Sequence, residues 1–153
     1  MKFHRYEIET RWTGNVGSGT AGYRGYRRDN EMRAPGKPII HGSADRSFLG
    51  DATRYNPEDL LVASVSQCHM LWYLHMCADA GVVVTEYSDK AVGTMTEHRD
   101  GSGEFTNVTL RPSVVLDDHS RCDRALQLHA EVHRYCFIAR SVNFPITLEP
   151  HVV

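Results

Sequence analysis

The 153-residue chain is poor in features that would tie it to a membrane, a polyanion or a disulfide scaffold. No stretch approaches the ~18 apolar residues of a membrane span, and Met1-Lys2-Phe3-His4-Arg5-Tyr6 lacks the apolar core of a signal peptide. Seventeen Lys and Arg against nineteen Asp and Glu leave a formal net charge of -2, so no broad cationic field exists to attract nucleic acid or an anionic lipid surface. The expected location is the cytoplasm. There, four irregularly spaced cysteines are thiols rather than a disulfide framework. Compact C-x2-C and H-E-x-x-H zinc signals are missing, and no nucleophile-elbow glycines surround Ser64 or Ser66. The Gly14, Gly17, Gly19 pattern is followed by no helix, which argues against phosphate cradling.

Hydrophobic residues at 41% and charged residues at 24% are ordinary for a globular protein, and the length suits one domain over residues 1–153. Rough alternation from Phe3 to Trp12, a Gly-rich turn and a stretch carrying Tyr23 and Tyr26 predict an antiparallel hairpin. A turn at Ala34-Pro35-Gly36-Lys37-Pro38 precedes a short strand from Ile39 to Gly42. Asn56 is a good N-cap, Pro57 suits the first helical position, and Glu58 and Asp59 complement the helix dipole. Leu60, Leu61, Ser64, Val65, Cys68, Leu71, Trp72 and His75 then recur at helical spacing until Gly81, predicting a central, buried helix roughly 35 Å long. Val82 to Thr96 reads as a strand, Asp100-Gly101-Ser102-Gly103 as a turn, and Glu104 to Leu116 as the partner strand. Ser120 can cap a second helix carrying Cys122, Ala125, Leu126, His129, Val132, His133 and Cys136. Pro145 bars helix beyond, and Ile146-Thr147-Leu148-Glu149 fits a closing strand. The order along the chain is βββ-α-ββ-α-β.

Three constellations carry possible chemistry. Cys68 and Cys136, with Arg24, Arg27 or Arg28 and with Glu58, have the parts of a two-thiol redox cycle. A guanidinium stabilises a thiolate, and a carboxylate orients the guanidinium. Buried cysteine also serves as a small hydrophobe, and Glu58 has a sufficient role at the helix dipole. The second constellation is His129, His133 and Cys136, at i, i+4 and i+7, with His69 and His75 flanking the other cysteine. Such residues ligate zinc, and a metal- or ligand-binding dimer is the alternative reading. The third, a serine nucleophile at Ser64 or Ser66, is the weakest.

The run Asn56-Pro57-Glu58-Asp59-Leu60-Leu61, then Ser66-Gln67-Cys68, with the later His129, His133 and Cys136-Phe137-Ile138, resembles the OsmC/Ohr family of thiol-dependent hydroperoxide reductases. The segment from Gly19-Thr20 to Tyr26-Arg27-Arg28-Asp29 resembles the strand bearing the family's active-site arginine. The resemblance implies an α+β fold with antiparallel sheets and two main helices, in an intertwined homodimer with the reactive site at the subunit interface. It implies Cys68 as the peroxidatic cysteine, Cys136 as the resolving one and Glu58 as the carboxylate of an Arg–Glu pair. Arg28 fits the arginine best, with Arg24, Arg27 and the more remote Arg46 as alternatives. The implied activity is reduction of organic hydroperoxides without a cofactor, with a lipoyl-type dithiol as reductant. Two departures lie beside the cysteines: His69 stands where many members have an aromatic residue, and Phe137 where they have proline. No role is assigned to Cys77 or Cys122.

Overall fold

Local chemistry sets both ends of the longest element, helix α1 (Pro57–Asp79). The Asn56 side-chain oxygen accepts from the Asp59 N–H at 2.7 Å, and the Asp59 carboxylate accepts from the Asn56 N–H at 3.2 Å. This reciprocal cap satisfies two groups that the first turn leaves without helical partners. At the other end Gly81 takes φ 65°, the Val82 N–H donates to the Cys77 carbonyl at 2.8 Å and the Gly81 N–H to the Ala78 carbonyl at 3.2 Å. These are the two bonds of a Schellman motif, and they stop the helix where the glycine allows a left-handed residue.

The computed structural model describes residues 1–153, which form two compact units, Met1–Leu60 and Leu61–Val153. In the first, β1 (Glu9–Trp12), β2 (Asn30–Arg33) and β3 (Ile40–Gly42) make an antiparallel sheet in that order, with Trp12 opposite Asn30 and Asn30 opposite Gly42. The segment with Tyr23 and Tyr26, expected as a strand, is instead a run of turns. Asn15 explains part of the difference, because its side-chain oxygen accepts from the N–H groups of Gly17 and Gly19, both at positive φ. Gly14 lies so close to the returning chain that a Cβ there would sit 1.9 Å from the Arg27 carbonyl oxygen. The strand therefore resumes only at Asn30.

In the second unit the two long strands expected from the sequence are each broken in two. β4 (Val84–Asp89) pairs with β7 (Pro112–Leu116), and β5 (Val92–Glu97) with β6 (Gly103–Leu110), both antiparallel. The Asp89 carboxylate holds the corner by accepting from the Arg111 N–H and the Ser66 hydroxyl. β8 (Ile146–Leu148) adds to β6 in parallel, and β9 (His151–Val152), which was not expected, adds to β7 in parallel. The result is an α+β fold with mixed sheets β4-β7-β9 and β5-β6-β8 and two main helices.

The second helix, α2 (Cys122–Val132), is shorter than its apolar periodicity suggested. Asp118, rather than Ser120, provides the side-chain cap, accepting from the Ser120 N–H of a preceding 3-10 turn. The helix gives way to turns after Val132, so His133 closes it and Cys136 lies beyond it. The Cys136 N–H donates to the Val132 carbonyl, and the Arg140 N–H donates in turn to the Cys136 carbonyl.

Only one stripe of α1 is fully buried, Val65, His69, Tyr73 and Cys77, at a strict spacing of four. Leu71 remains 57% exposed, so the expectation of a central, buried helix holds for one face only. Tyr73 and Cys77 pack with Val82, Val114, Ala125, Leu128, Val132 and Cys136 in one core. A second core joins Val65, Val108 and Leu110 to Val62, Phe105, Phe144 and Ile146. Gly93 of β5 lies against this second core, and an added Cβ would meet Val62 Cγ2 at 2.5 Å and Phe105 Cε1 at 2.6 Å. Gly93→Ala should therefore overpack it and cost about 1–3 kcal/mol, read as a lower urea midpoint at unchanged slope. An unchanged midpoint would show that both side chains yield freely.

Candidate active site

Helix α1 and the turn after α2 bring Cys68 and Cys136 together from opposite ends of the second unit. Cys68 packs against the core cluster that contains Cys136, near enough for the two thiols to influence one another, and both cysteines are free thiols. Their environments differ. Cys68 is half-buried and packs at the border of the larger core, whereas Cys136 is 1% exposed within it. Burial disfavours a thiolate at Cys136, the bond to Cys68 holds the proton further, and its pKa is pushed up to about 12 despite an N–H from Ala139 at 3.4 Å. Cys136 is thus a thiol at neutral pH, and Cys68 is the more accessible residue of the two.

The histidines after and opposite Cys68 form a feature that sequence reasoning did not assemble. His69 Nε2 and His129 Nδ1 are 3.0 Å apart, joining α1 to α2, and the two rings are coplanar within 1°. Tyr73 stacks on His129 with centroids 3.7 Å apart. Desolvation lowers His69 to about 4, with Asp89 opposing and His133 reinforcing the shift, and lowers His129 to about 3 with help from His69. Both rings are neutral at pH 7. The partners lie sixty positions apart on different helices, so periodicity along one helix cannot reveal them. The available signal was that His69 falls on the stripe of Val65 and Tyr73.

The metal constellation does not assemble, since no group of three His, Cys, Asp or Glu side chains is placed to hold an ion. Its premise fails locally: the helix ends at Val132, so His129, His133 and Cys136 do not share a helical face. His129 points into the core and is 1% exposed, whereas His133 is exposed.

In the first unit Arg28 is held by its own loop. Its guanidinium donates to the carbonyls of Tyr26 and Tyr23, each at 2.6 Å, and lies 4.1 Å and 4.6 Å from the centroids of the same two rings. The tyrosines thus form a cation–π cage that fixes the charge. Arg24, Arg27 and Arg46 are exposed. Glu58 is half-buried in the first turn of α1, and no salt bridge joins it to Arg28 within the chain. Trp72, one turn beyond Cys68, meets Phe137 edge-on at 5.6 Å and Tyr135 at 5.6 Å. It borders a groove of about 360 Å³ with Met76, Leu128 and Arg124.

This arrangement can be set beside known proteins. The profile of OsmC-like proteins matches residues 50–151, which contain both cysteines and all of α1. The chain belongs to the OsmC-like family. An OsmC-like protein of unknown function from Vibrio cholerae is 28% identical, with 97% of this chain and 99% of that one covered and a TM-score of 0.87. An organic hydroperoxide resistance protein OsmC from Legionella pneumophila is 13% identical, with coverages of 99% and 98% and a TM-score of 0.72. The organic hydroperoxide resistance protein OhrB of Bacillus subtilis is 14% identical, covered 98% and 98%, with a TM-score of 0.62. The last two share the OsmC-like fold with this chain. No curated protein matches the sequence.

Proposed function

We propose that this OsmC-like protein is a cytoplasmic, homodimeric peroxidase that reduces organic hydroperoxides through Cys68 and Cys136. The observation that carries the reading is the proximity of the two thiols, one on a half-buried residue and one buried and protonated. The Cys68 thiolate attacks the distal peroxide oxygen, the O–O bond breaks, and an alcohol leaves as Cys68 becomes a sulfenic acid. Cys136 then displaces water from that sulfur to form a disulfide, which a dithiol, of the lipoyl type by family analogy, reduces by exchange. The names of the Legionella and Bacillus proteins, both organic hydroperoxide resistance proteins, favour an organic substrate. So do the aromatic faces of Trp72 and of Phe137, which is 66% exposed. Arg28 is the proposed thiolate-stabilising cation, and its tyrosine cage supplies the fixed orientation.

The deciding experiment is the mass and thiol count before and after one equivalent of an organic hydroperoxide. Two thiols should be lost, and peptide mapping should find Cys68 bridged to Cys136. Retention of all four thiols, or a dominant bridge through Cys77 or Cys122, would overturn the assignment.

Glu58 enters the proposal through the partner subunit. Helix α1 runs unbroken from Pro57 to Asp79, so ten residues of rise, about 15 Å, separate the Glu58 turn from Cys68 along one axis. A composite site using Cys68 of one protomer and Glu58 of its partner removes that difficulty. Mixing Cys68→Ser protomers with Glu58→Ala protomers should then restore about half the wild-type activity per heterodimer, since one site is intact and the other doubly mutated. Verified subunit exchange with no restored activity would place the carboxylate in its own chain or outside the mechanism.

A further inference from the structure

The hydrogen bonds that shape the turn carrying Cys136 stay within it. The Tyr135 and Cys136 N–H groups donate to the Val132 carbonyl, the Arg140 N–H to the Cys136 carbonyl, the Ala139 N–H to the Cys136 sulfur and the Ser141 hydroxyl to the Phe137 carbonyl. None of them reaches α1. The ties to that helix are apolar: Cys136 is buried in the core shared with Tyr73 and Cys77, with Ile138 and Ala139 packed against it, and Trp72 grips the outer side of the turn. Trp72 follows Cys68 by four residues, so it stands on the same face of α1, about 6 Å further along the axis. Its indole meets Tyr135 at 5.6 Å with a tilt of 32°, and Phe137 at 5.6 Å nearly edge-on at 84°. Ring separations in this range are attractive, and edge-on approach is a favoured geometry. One α1 side chain therefore holds the residue before and the residue after Cys136, which is itself 1% exposed.

We propose that Trp72 is a positioning residue for the resolving thiol: by clasping Tyr135 and Phe137 it keeps Cys136 in register with Cys68. The proposal rests on the two-thiol reading of the site. In the resolving step the two sulfurs join, the S–O bond of the Cys68 sulfenic acid breaks, and its hydroxyl leaves with the Cys136 proton as water. Trp72 makes and breaks none of these bonds. It raises the effective concentration of one sulfur at the other, and a misplacement of about 1 Å in such a pair can cost about a hundredfold. The turn needs such a hold because α2 has ended at Val132, so no helical backbone fixes where Cys136 stands against α1.

The test measures that effective concentration without a peroxide. Protein carrying Cys122→Ser, which removes the other half-buried thiol, is equilibrated with mixtures of reduced and oxidised glutathione. Oxidised glutathione takes the two electrons: Cys68 attacks its disulfide and releases one glutathione, Cys136 displaces the second, and the bridge is counted by alkylation and peptide mass. The squared concentration of reduced glutathione divided by that of the oxidised form, read at half-formation of the bridge, should fall about tenfold in Trp72→Ala. Two aromatic pairs of ordinary strength are together equivalent to about that factor in an equilibrium. Trp72→Phe, which keeps a ring for its neighbours, should lie between Trp72→Ala and the parent. Phe137→Ala should shift the equilibrium in the same direction, and should add little in the Trp72→Ala background, where its partner ring is already gone. A merely structural role would lower the urea midpoint and leave the glutathione equilibrium of the folded protein unchanged. An unchanged equilibrium in folded Trp72→Ala would overturn the proposal, since burial alone would then position Cys136. If that variant does not fold, Phe137→Ala, whose side chain is 66% exposed, decides by the same reading. The two-thiol reading fails separately, when protein with Trp72 intact forms no bridge between Cys68 and Cys136 at any glutathione ratio.

Discussion

Cys68→Ser should consume no organic hydroperoxide above buffer alone, while Cys136→Ser should consume one equivalent rapidly and then fail to turn over, with only slow overoxidation in excess peroxide. The asymmetry follows from the two environments. Cys68 is half-buried at the edge of the core and is the sulfur a hydroperoxide can reach. Cys136 is 1% exposed and held protonated by burial and by the Cys68 sulfur, so it reacts only after Cys68 has become an electrophile. Without the resolving thiol, the oxidised Cys68 should persist as a sulfenic acid, visible as one added oxygen in the intact mass, and proceed to sulfinic acid with excess peroxide. Rapid-mixing peroxide assays paired with mass spectrometry decide the matter. Sustained turnover by Cys68→Ser, or multiple turnovers by Cys136→Ser without an external thiol, would reverse or remove the assigned roles.

Acidification should destabilise the protein well before the carboxylates titrate. The His69–His129 pair folds in the neutral form, with His69 lowered from 6.5 to about 4 and His129 from 6.5 to about 3, in each case first by desolvation. The unfolded chain takes up protons near pH 6.5 that the folded chain refuses. The stabilisation is therefore complete above pH 6.5 and is lost as pH falls through the window down to the folded values. By pH 5 this amounts to about 2 kcal/mol for each histidine, somewhat less than twice that for the coupled pair. Urea unfolding at neutral pH and at pH 5 should show that loss in wild type and not in a His69→Phe, His129→Leu double variant. Equal acid sensitivity in the two proteins would mean that the pair is not the acid-labile element.

The first turn of α1, its stop at Gly81 and the hairpin turn at Gly101 were legible because each depends on neighbours in sequence. Asn56 caps the first turn at Asp59, Gly81 takes the left-handed conformation without strain, and the Asp100 carboxylate accepts from the Ser102 N–H. The strand expected around Tyr23 and Tyr26 failed for an equally physical reason. Glycines and the Asn15 side chain satisfy the backbone locally, and the aromatic rings are used to hold Arg28 instead of a sheet. The end of α2 was misjudged because the apolar period continues past Val132 while the chain turns to bury Cys136.

What the sequence by itself determined is the set of candidate reactive groups: two cysteines, one on a capped helix and one near the end of the second helical pattern, in a chain without a broad cationic charge or an apolar run long enough to span a membrane. Local spacing also placed the helices and most of the strands, since caps, glycines and apolar periods act over a few residues. Only the tertiary structure decided which of those groups meet. It brought the two cysteines to one core, buried one of them, and separated His129 from the exposed His133. It also paired His129 with His69 across two helices, where desolvation keeps both neutral. Burial and pairing over such separations arise from the packing of α1 against α2, and no local pattern encodes them.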